Sequence, residues 1–178
     1  MKSKGGLLSG EKVRLRAMEP EDLELIYKVE NLTDFWHCGS TNVPYSRYAL
    51  KQFISESQNN IFADGQLRLI IETVTGTQPV GCVDLTSFDA MHSRAEVGVL
   101  LLPQWQGRGW GSEALQLLCE YAHKRLHLHQ LYAYVAESNV AATKLFQKVA
   151  FQEVACLPDW LKNEDGYVAA RLFQKIFV

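Results

Sequence analysis

Pro103-Gln104-Trp105-Gln106-Gly107-Arg108-Gly109-Trp110-Gly111-Ser112 is the stretch on which the fold turns. Residues 95–102 before it are apolar on both faces, Val97, Val99 and Leu101 against Leu100 and Leu102, as in a strand at the middle of a covered sheet. After it, Leu115, Leu118, Ala122 and Leu126 recur at three- and four-residue steps and predict a helix over 111–127. The ten residues thus form a strand-loop-helix junction. Glycines at alternate positions let the chain turn sharply with its N–H groups outward, and the positive end of the helix completes a nest for a phosphate or pyrophosphate. Arg108 adds a charge-assisted contact. A plain turn is the competing reading. Two familiar phosphate loops are excluded: Ser112-Glu113 stands where a P-loop needs Lys-Ser or Lys-Thr, and the glycine spacing is not GxGxxG.

Outward from this junction the chain alternates strands and helices. Toward the N-terminus, 11–17 alternates with Val13, Leu15 and Ala17 on one face. Glu19-Pro20-Glu21-Asp22 opens a helix over 20–30 whose inner face would carry Leu23, Ile26 and Tyr27. Residues 31–45 are irregular, and a second helix after Ser46 buries Leu50, Phe53 and Ile54. Strands over 66–73 and 80–88 form a hairpin about Thr75-Gly76-Thr77-Gln78. Toward the C-terminus come a strand over 131–135, a helix over 140–149 and strands over 151–157 and 167–177. The order β-α-α-β-β-β-α-β-α-β-β predicts one mixed α/β layer fold over 1–178, with 1–10 a flexible lead-in.

With 178 residues, 47% of them hydrophobic, the chain is sized for one domain with a full core. Its formal charge of −2 argues against a face built for nucleic-acid phosphates. Cys38, Cys82, Cys119 and Cys156 lie far apart without metal-ligand or redox spacing, so they read as buried thiols in a reducing compartment, and no metal is expected. The absence of a signal-like segment or a long apolar run predicts a cytoplasmic, non-membrane protein.

Gln106-x-x-Gly109-x-Gly111 in this context resembles the pyrophosphate loop of GNAT acetyltransferases. The resemblance runs from Val13-Arg14-Leu15-Arg16 through Arg94-Ala95-Glu96-Val97-Gly98 and Glu137-Ser138-Asn139 to Asp165-Gly166-Tyr167. It is typical of the branch that includes ribosomal-protein N-terminal and spermidine N-acetyltransferases. It implies an α+β GNAT fold, a central mixed, mostly antiparallel sheet flanked by helices, and acetyl-CoA as co-substrate. The acceptor would be a primary amine of a polyamine, a protein N-terminus or a small molecule. By the same resemblance, the backbone of Val99, Leu100 and Leu101 pairs with the pantetheine arm. The amides of Gln106, Gly107, Arg108, Gly109, Trp110, Gly111 and Ser112 hold the pyrophosphate, and Asn139 contacts the pantetheine or the catalytic end. A non-catalytic CoA-binding sensor on the same fold is the alternative.

The tyrosine that protonates the leaving thiolate in many family members is matched here by Phe146, which leaves the cofactor position without an acid. Ser138, Tyr134, Thr143 or water are the remaining donors. Glu96, at the head of the strand beside the cofactor, is the first choice of base, with a structural carboxylate paired with Arg94 or a loop amide as the competing reading. His92 and Asp84 are weaker. Trp36, His37, Tyr45 and Tyr48 are candidates to enclose the amine by cation–π contact, with Glu30, Asp34 and Glu56 nearby in sequence to attract a polycation. The polar 159–165 segment, with Trp160, Asn163 and Glu164, borders the acceptor site in the family. Ala150 replaces a usual glycine, which costs on the order of 1 kcal/mol where the backbone is left-handed. Leu172, Phe173, Ile176 and Phe177 offer a strand that could pair or pack across a homodimer, or else complete the core.

Overall fold

In the computed structural model, residues 6–32, 43–163 and 165–178 are described. Strands β1 (Val13–Ala17), β2 (Leu67–Thr73), β3 (Pro79–Asp89), β4 (Arg94–Leu101), β5 (Gln130–Ala136), β6 (Gln152–Asn163) and β7 (Gly166–Ile176) form one sheet in the order β1-β2-β3-β4-β5-β7-β6. Every neighbouring pair is antiparallel except β4 and β5, which run parallel. Helices α1 (Leu23–Asn31), α2 (Arg47–Glu56), α3 (Ile61–Asp64), α4 (Trp110–Lys124) and α5 (Val140–Lys148) complete it.

Period-two alternation sorts the strands between two cores. Val13, Leu15, Leu69, Ile71, Val83, Leu85, Val97 and Leu101 pack toward α4, against Ala114, Leu115, Leu118 and Ala122. Ile70 and Cys82 point the other way and meet Ile26, Val29, Leu50 and Ile54 of α1 and α2. That second core stops at β4, since none of its members comes from β5, β6 or β7. The opposite face of the C-terminal half of the sheet therefore has no helix packed on it among the described residues.

Several sequence expectations are corrected. The helix expected over 20–30 begins as a 3-10 turn, Pro20–Asp22, in which the Asp22 carboxylate accepts the Glu19 N–H at 2.9 Å and two bonds from Arg16. This sets the buried face of α1 at Leu25, Ile26 and Val29, with Leu23 and Tyr27 only half-buried, and Ala17 is exposed at the end of β1. The four-residue α3 was not foreseen: its Asn60 cap and left-handed Gly65 make a helix too short for a periodic signal. The helix after the glycine loop stops at Lys124 rather than 127, with His123 and Lys124 in its last turn, and His127 takes a positive φ. Strand β6 runs on to Asn163 through two irregularities, one at Val154 between Glu153 and Ala155 and one between Leu157 and Leu161 that takes in Pro158 and Asp159.

The lead-in over residues 6–10 is tied down: Leu15 donates its N–H to the Leu8 carbonyl at 2.8 Å, and Leu8 packs against the first core. Cys82 and Cys119 are buried, and burial pushes both thiols up to about 12. Cys156 is exposed on edge strand β6, contrary to its reading as a buried thiol, and Cys38 lies outside the described residues. Strand β7 lies between β5 and β6, so both its edges are taken and it cannot pair across a dimer. Phe173 is fully buried and Phe177 stacks on His123, leaving Ile176 exposed.

Candidate functional site

Strands β4 and β5 pair only at Arg94↔Gln130, Ala95↔Leu131 and Glu96↔Tyr132. Beyond that, β4 stays with β3 as far as Gly81↔Leu101, while β5 stays with β7 as far as Ala136↔Ala170. The two parallel strands part, and among the described residues the edge of β4 over 97–101 that faces β5 has no strand against it. An extended chain of another molecule fits such an edge as an added strand. This is the edge on which Val99, Leu100 and Leu101 lie; the first two are half-buried.

The glycine loop closes the wide end of this gap. Gly107 (φ 75°) and Gly109 (φ 81°) are both left-handed, and Gly109 is the N-cap of α4. A Cβ at Gly107 would meet nothing within 4 Å, so the backbone there is open to a ligand. Gly111 differs: a Cβ there would sit 3.4 Å from Leu101 and 3.8 Å from Leu145, so this position faces the packing between α4, β4 and α5 rather than open space. The N–H groups of Trp110, Gly111 and Ser112 belong to the first turn, where no helical carbonyl precedes them. Gln106 braces the loop: its amide side chain donates to the Leu101 carbonyl at 2.9 Å and its backbone N–H to Pro103 at 3.2 Å. That backbone donor is already used, so Gln106 positions the nest rather than lining it. Trp105 and Trp110 stack at 4.7 Å, and the Arg108 guanidinium lies over both rings, at 5.6 and 5.7 Å.

Two residues of this end escaped the sequence reading. Lys12 lies at the start of β1, and its Nζ comes within 3.6 Å of where a Gly109 Cβ would be. Glu113 of α4 accepts the N–H groups of Glu11, Lys12 and Val13 at 2.7, 2.9 and 3.0 Å, which fastens β1 to the helix and turns the carboxylate away from the loop. Nothing within a few residues of either signals this, because the contact spans about one hundred positions. Open glycine backbone, free first-turn donors, Arg108 and Lys12 form a donor set suited to a diphosphate.

Glu96 sits where β4 and β5 part. Ser87 of β3 donates to its Oε2 at 3.3 Å, and burial raises the carboxyl above its ordinary range, with the Ser87 hydrogen bond opposing. Arg94 is bound to Asp89 at 3.1 Å, not to Glu96, so the Arg94 arm of the competing structural reading is absent. Among the described residues Glu96 has no ion-pair partner. Asp84 is taken by Arg68 in a two-point contact at 2.7 and 2.9 Å, with Glu30 on the same guanidinium; Asp84 is thereby removed as a base. His92 is exposed in the β3–β4 turn. On the helix-free face, Arg94, Gln130, Tyr132, Tyr134, Val154, Leu172 and Gln174 line a cleft of about 270 Å³, and Tyr132 is the register partner of Glu96. Tyr134 packs against Tyr132 at 5.8 Å and against Trp160 of β6 at 5.5 Å. Burial, then the Glu96 charge, raises the Tyr132 phenol.

The other expected residues are scattered. Asn139 caps α5, its side chain accepting the Ala142 N–H at 3.0 Å. Ser138 is exposed on the turn before that cap, and Thr143 is half-buried in α5. Phe146 is 5% exposed and packs on Phe151 and Phe173, so its ring belongs to the core rather than to a cofactor surface. Asn31 clamps the Tyr45 backbone at both its N–H (2.9 Å) and its carbonyl (3.1 Å), while Tyr48 is 72% exposed in the first turn of α2. Trp36, His37 and Asp34 lie outside the described residues, as does Glu164. Ala150 has φ 62°, the left-handed conformation its replacement of glycine raised.

The sequence profile of the acetyltransferase (GNAT) domain family matches residues 12–152. The spermidine N(1)-acetyltransferase of Escherichia coli K12 is 26% identical over 146 residues, 80% of this chain and 74% of its own. An uncharacterized N-acetyltransferase, p20 of Bacillus licheniformis, is 28% identical over 173 residues, 92% of both chains. The crystal structure of Vibrio cholerae spermidine N-acetyltransferase in complex with CoA and spermine superimposes with a TM-score of 0.83 at 22% identity, covering 92% of this chain and 95% of that one.

Proposed function

The chain belongs to the GNAT acetyltransferase family and is an acetyl-CoA-dependent N-acetyltransferase; from that premise we propose that it acetylates a primary amine of a small polyamine, with Glu96 as base. The observation that carries the proposal is the place of Glu96: a half-buried carboxylate with no ion-pair partner among the described residues, where β4 and β5 separate, next to a cleft whose lining includes Tyr132 and Tyr134. The spermidine acetyltransferases among its relatives support the choice of acceptor.

Acetyl-CoA brings the activated thioester carbonyl, and the protein's share is position and proton traffic. The β4 edge at Val99, Leu100 and Leu101 would align the pantetheine. The amides of Gly107 to Ser112, with Arg108, would take the diphosphate, Gln106 would hold the loop, and Asn139 would keep α5 against the gap. Tyr132, Tyr134 and Trp160 cluster their rings, and a ring face left open to the cleft would attract an alkylammonium. Glu96, its proton affinity raised by burial, accepts a proton from the incoming ammonium so that a neutral amine attacks. Ser138, an exposed hydroxyl at the positive end of α5, is assigned to return a proton to the thiolate. Of the aromatic residues expected at the acceptor, Tyr45 and Tyr48 would serve as its outer walls.

Isothermal titration with acetyl-CoA, followed by thiol release against spermidine, N-terminal peptides and aminoglycosides, tests this. The expected result is tight binding with release for the polyamine. Glu96→Gln should keep the acetyl-CoA Kd and lose roughly 10²- to 10⁴-fold in turnover, the range of a general base. Binding without release for any amine would instead mark a CoA sensor.

A further inference from the structure

Ser87 stands out because its backbone and its neighbours point the same way. Strand β3 pairs Thr86 with Glu96 and then Asp89 with Arg94, three steps on β3 against two on β4, so one extra residue is inserted between them. In regular alternation Ser87 would follow Val83 and Leu85 onto the α4 side, and Phe88 would point to the open face. The bulge reverses both. Ser87 takes φ 49°, a conformation that L side chains seldom adopt, and its hydroxyl reaches Glu96 Oε2 at 3.3 Å. Phe88 packs instead against the first core and meets Phe62 edge-on at 5.2 Å.

We infer that Ser87 is a positioning residue for the base: the β3 bulge exists to bring a neutral hydroxyl donor to Glu96 at the point where β4 and β5 part. The inference rests on the proposed role of Glu96. A hydroxyl suits the task because it orients the carboxylate without the charge of a lysine or arginine, which would hold it ionised and spoil it as a base. The groups facing Glu96 among the described residues are few. Ser87 and Thr86 approach from β3 and Tyr132 from β5, with Tyr132 interacting with both Ser87 and Glu96. The charged neighbours are engaged elsewhere, Arg94 with Asp89 and Asp84 with Arg68. Removing the Ser87 hydroxyl leaves burial unopposed, so the carboxyl should hold its proton to higher pH.

The experiment is the pH dependence of kcat/KM for spermidine at saturating acetyl-CoA, in the wild type, Ser87→Ala, Ser87→Gly and Glu96→Gln. The acid limb should move to higher pH by about half a unit or more in both Ser87 variants, because a hydrogen bond to the charged form is lost. Their kcat should fall while KM stays near the wild-type value. Ser87→Gly separates this from a folding defect: it relieves the positive φ and should melt no lower than the wild type, yet it should show the same shift as Ser87→Ala. An acid limb that disappears in Glu96→Gln but stays in place in both Ser87 variants overturns the inference and leaves Glu96 as base. An acid limb that survives Glu96→Gln removes the base assignment and the inference with it.

Discussion

Replacing Glu113 tests how the glycine-loop end of the sheet is held together. Its two carboxylate oxygens take three backbone N–H groups at 2.7 to 3.0 Å, and only one of the three residues, Val13, is fully buried. In Glu113→Ala, water can reach the exposed amides of Glu11 and Lys12, so those two bonds cost little. The Val13 N–H is stranded, at about 1–3 kcal/mol, and the loss of hydrogen bonds to a charged acceptor adds about 1 kcal/mol more. The sum is about 2–4 kcal/mol, or roughly 1–2 M in urea midpoint for an m-value of about 2 kcal/mol/M. Glu113→Gln keeps one carbonyl oxygen for Lys12 and Val13 but turns an NH2 toward the Glu11 N–H, and should lose about half as much. Both variants should also weaken acetyl-CoA binding, since β1 carries Lys12 to the loop. Urea unfolding followed by circular dichroism reads the first effect and titration calorimetry the second. A Glu113→Ala stability within about 0.5 kcal/mol of wild type, a midpoint shift under about 0.25 M, would refute the reasoning, because it would mean that the Val13 amide finds another partner at no cost.

Lys12→Ala, which keeps the backbone bond to Glu113, should raise the acetyl-CoA Kd roughly two- to fivefold at low salt, with the difference vanishing near 0.5 M salt, as expected of an exposed charge against a phosphate. Equal Kd values at low salt would exclude the contact. Ala150→Gly should stabilise the fold by about 0.5–1 kcal/mol, the left-handed strain at φ 62° outweighing the greater freedom of glycine in the unfolded chain. Thermal or urea unfolding checks this, and a destabilised variant contradicts it.

What was legible from local pattern is what local physics controls. The buried strand at 95–102, the glycine loop and the helix beginning near Gly111 each follow from periodicity and backbone freedom within a dozen residues. The resemblance to the family, through a glycine replaced by Ala150, raised the left-handed conformation that the backbone has at φ 62°, and the position of Glu96 near the head of β4 was read from the strand pattern, its role as base remaining a proposal. Tertiary structure decided the rest through contacts between residues far apart in the chain. The parting of β4 from β5 depends on which partner each strand keeps, a matter of register that neither strand's own pattern encodes. Phe146 is a core residue because Phe151 and Phe173 enclose it, and Asp84 is no base because Arg68 reaches it from the next strand. Cys156 is exposed because its strand is the sheet's edge, and β7 is closed to a partner because it is not. The bulge that turns Ser87 toward Glu96 is one extra residue in an otherwise regular strand, visible only once its partner strand is counted against it. Propensity and periodicity reach a few residues along the chain, whereas register, convergence and burial are set by the whole sheet.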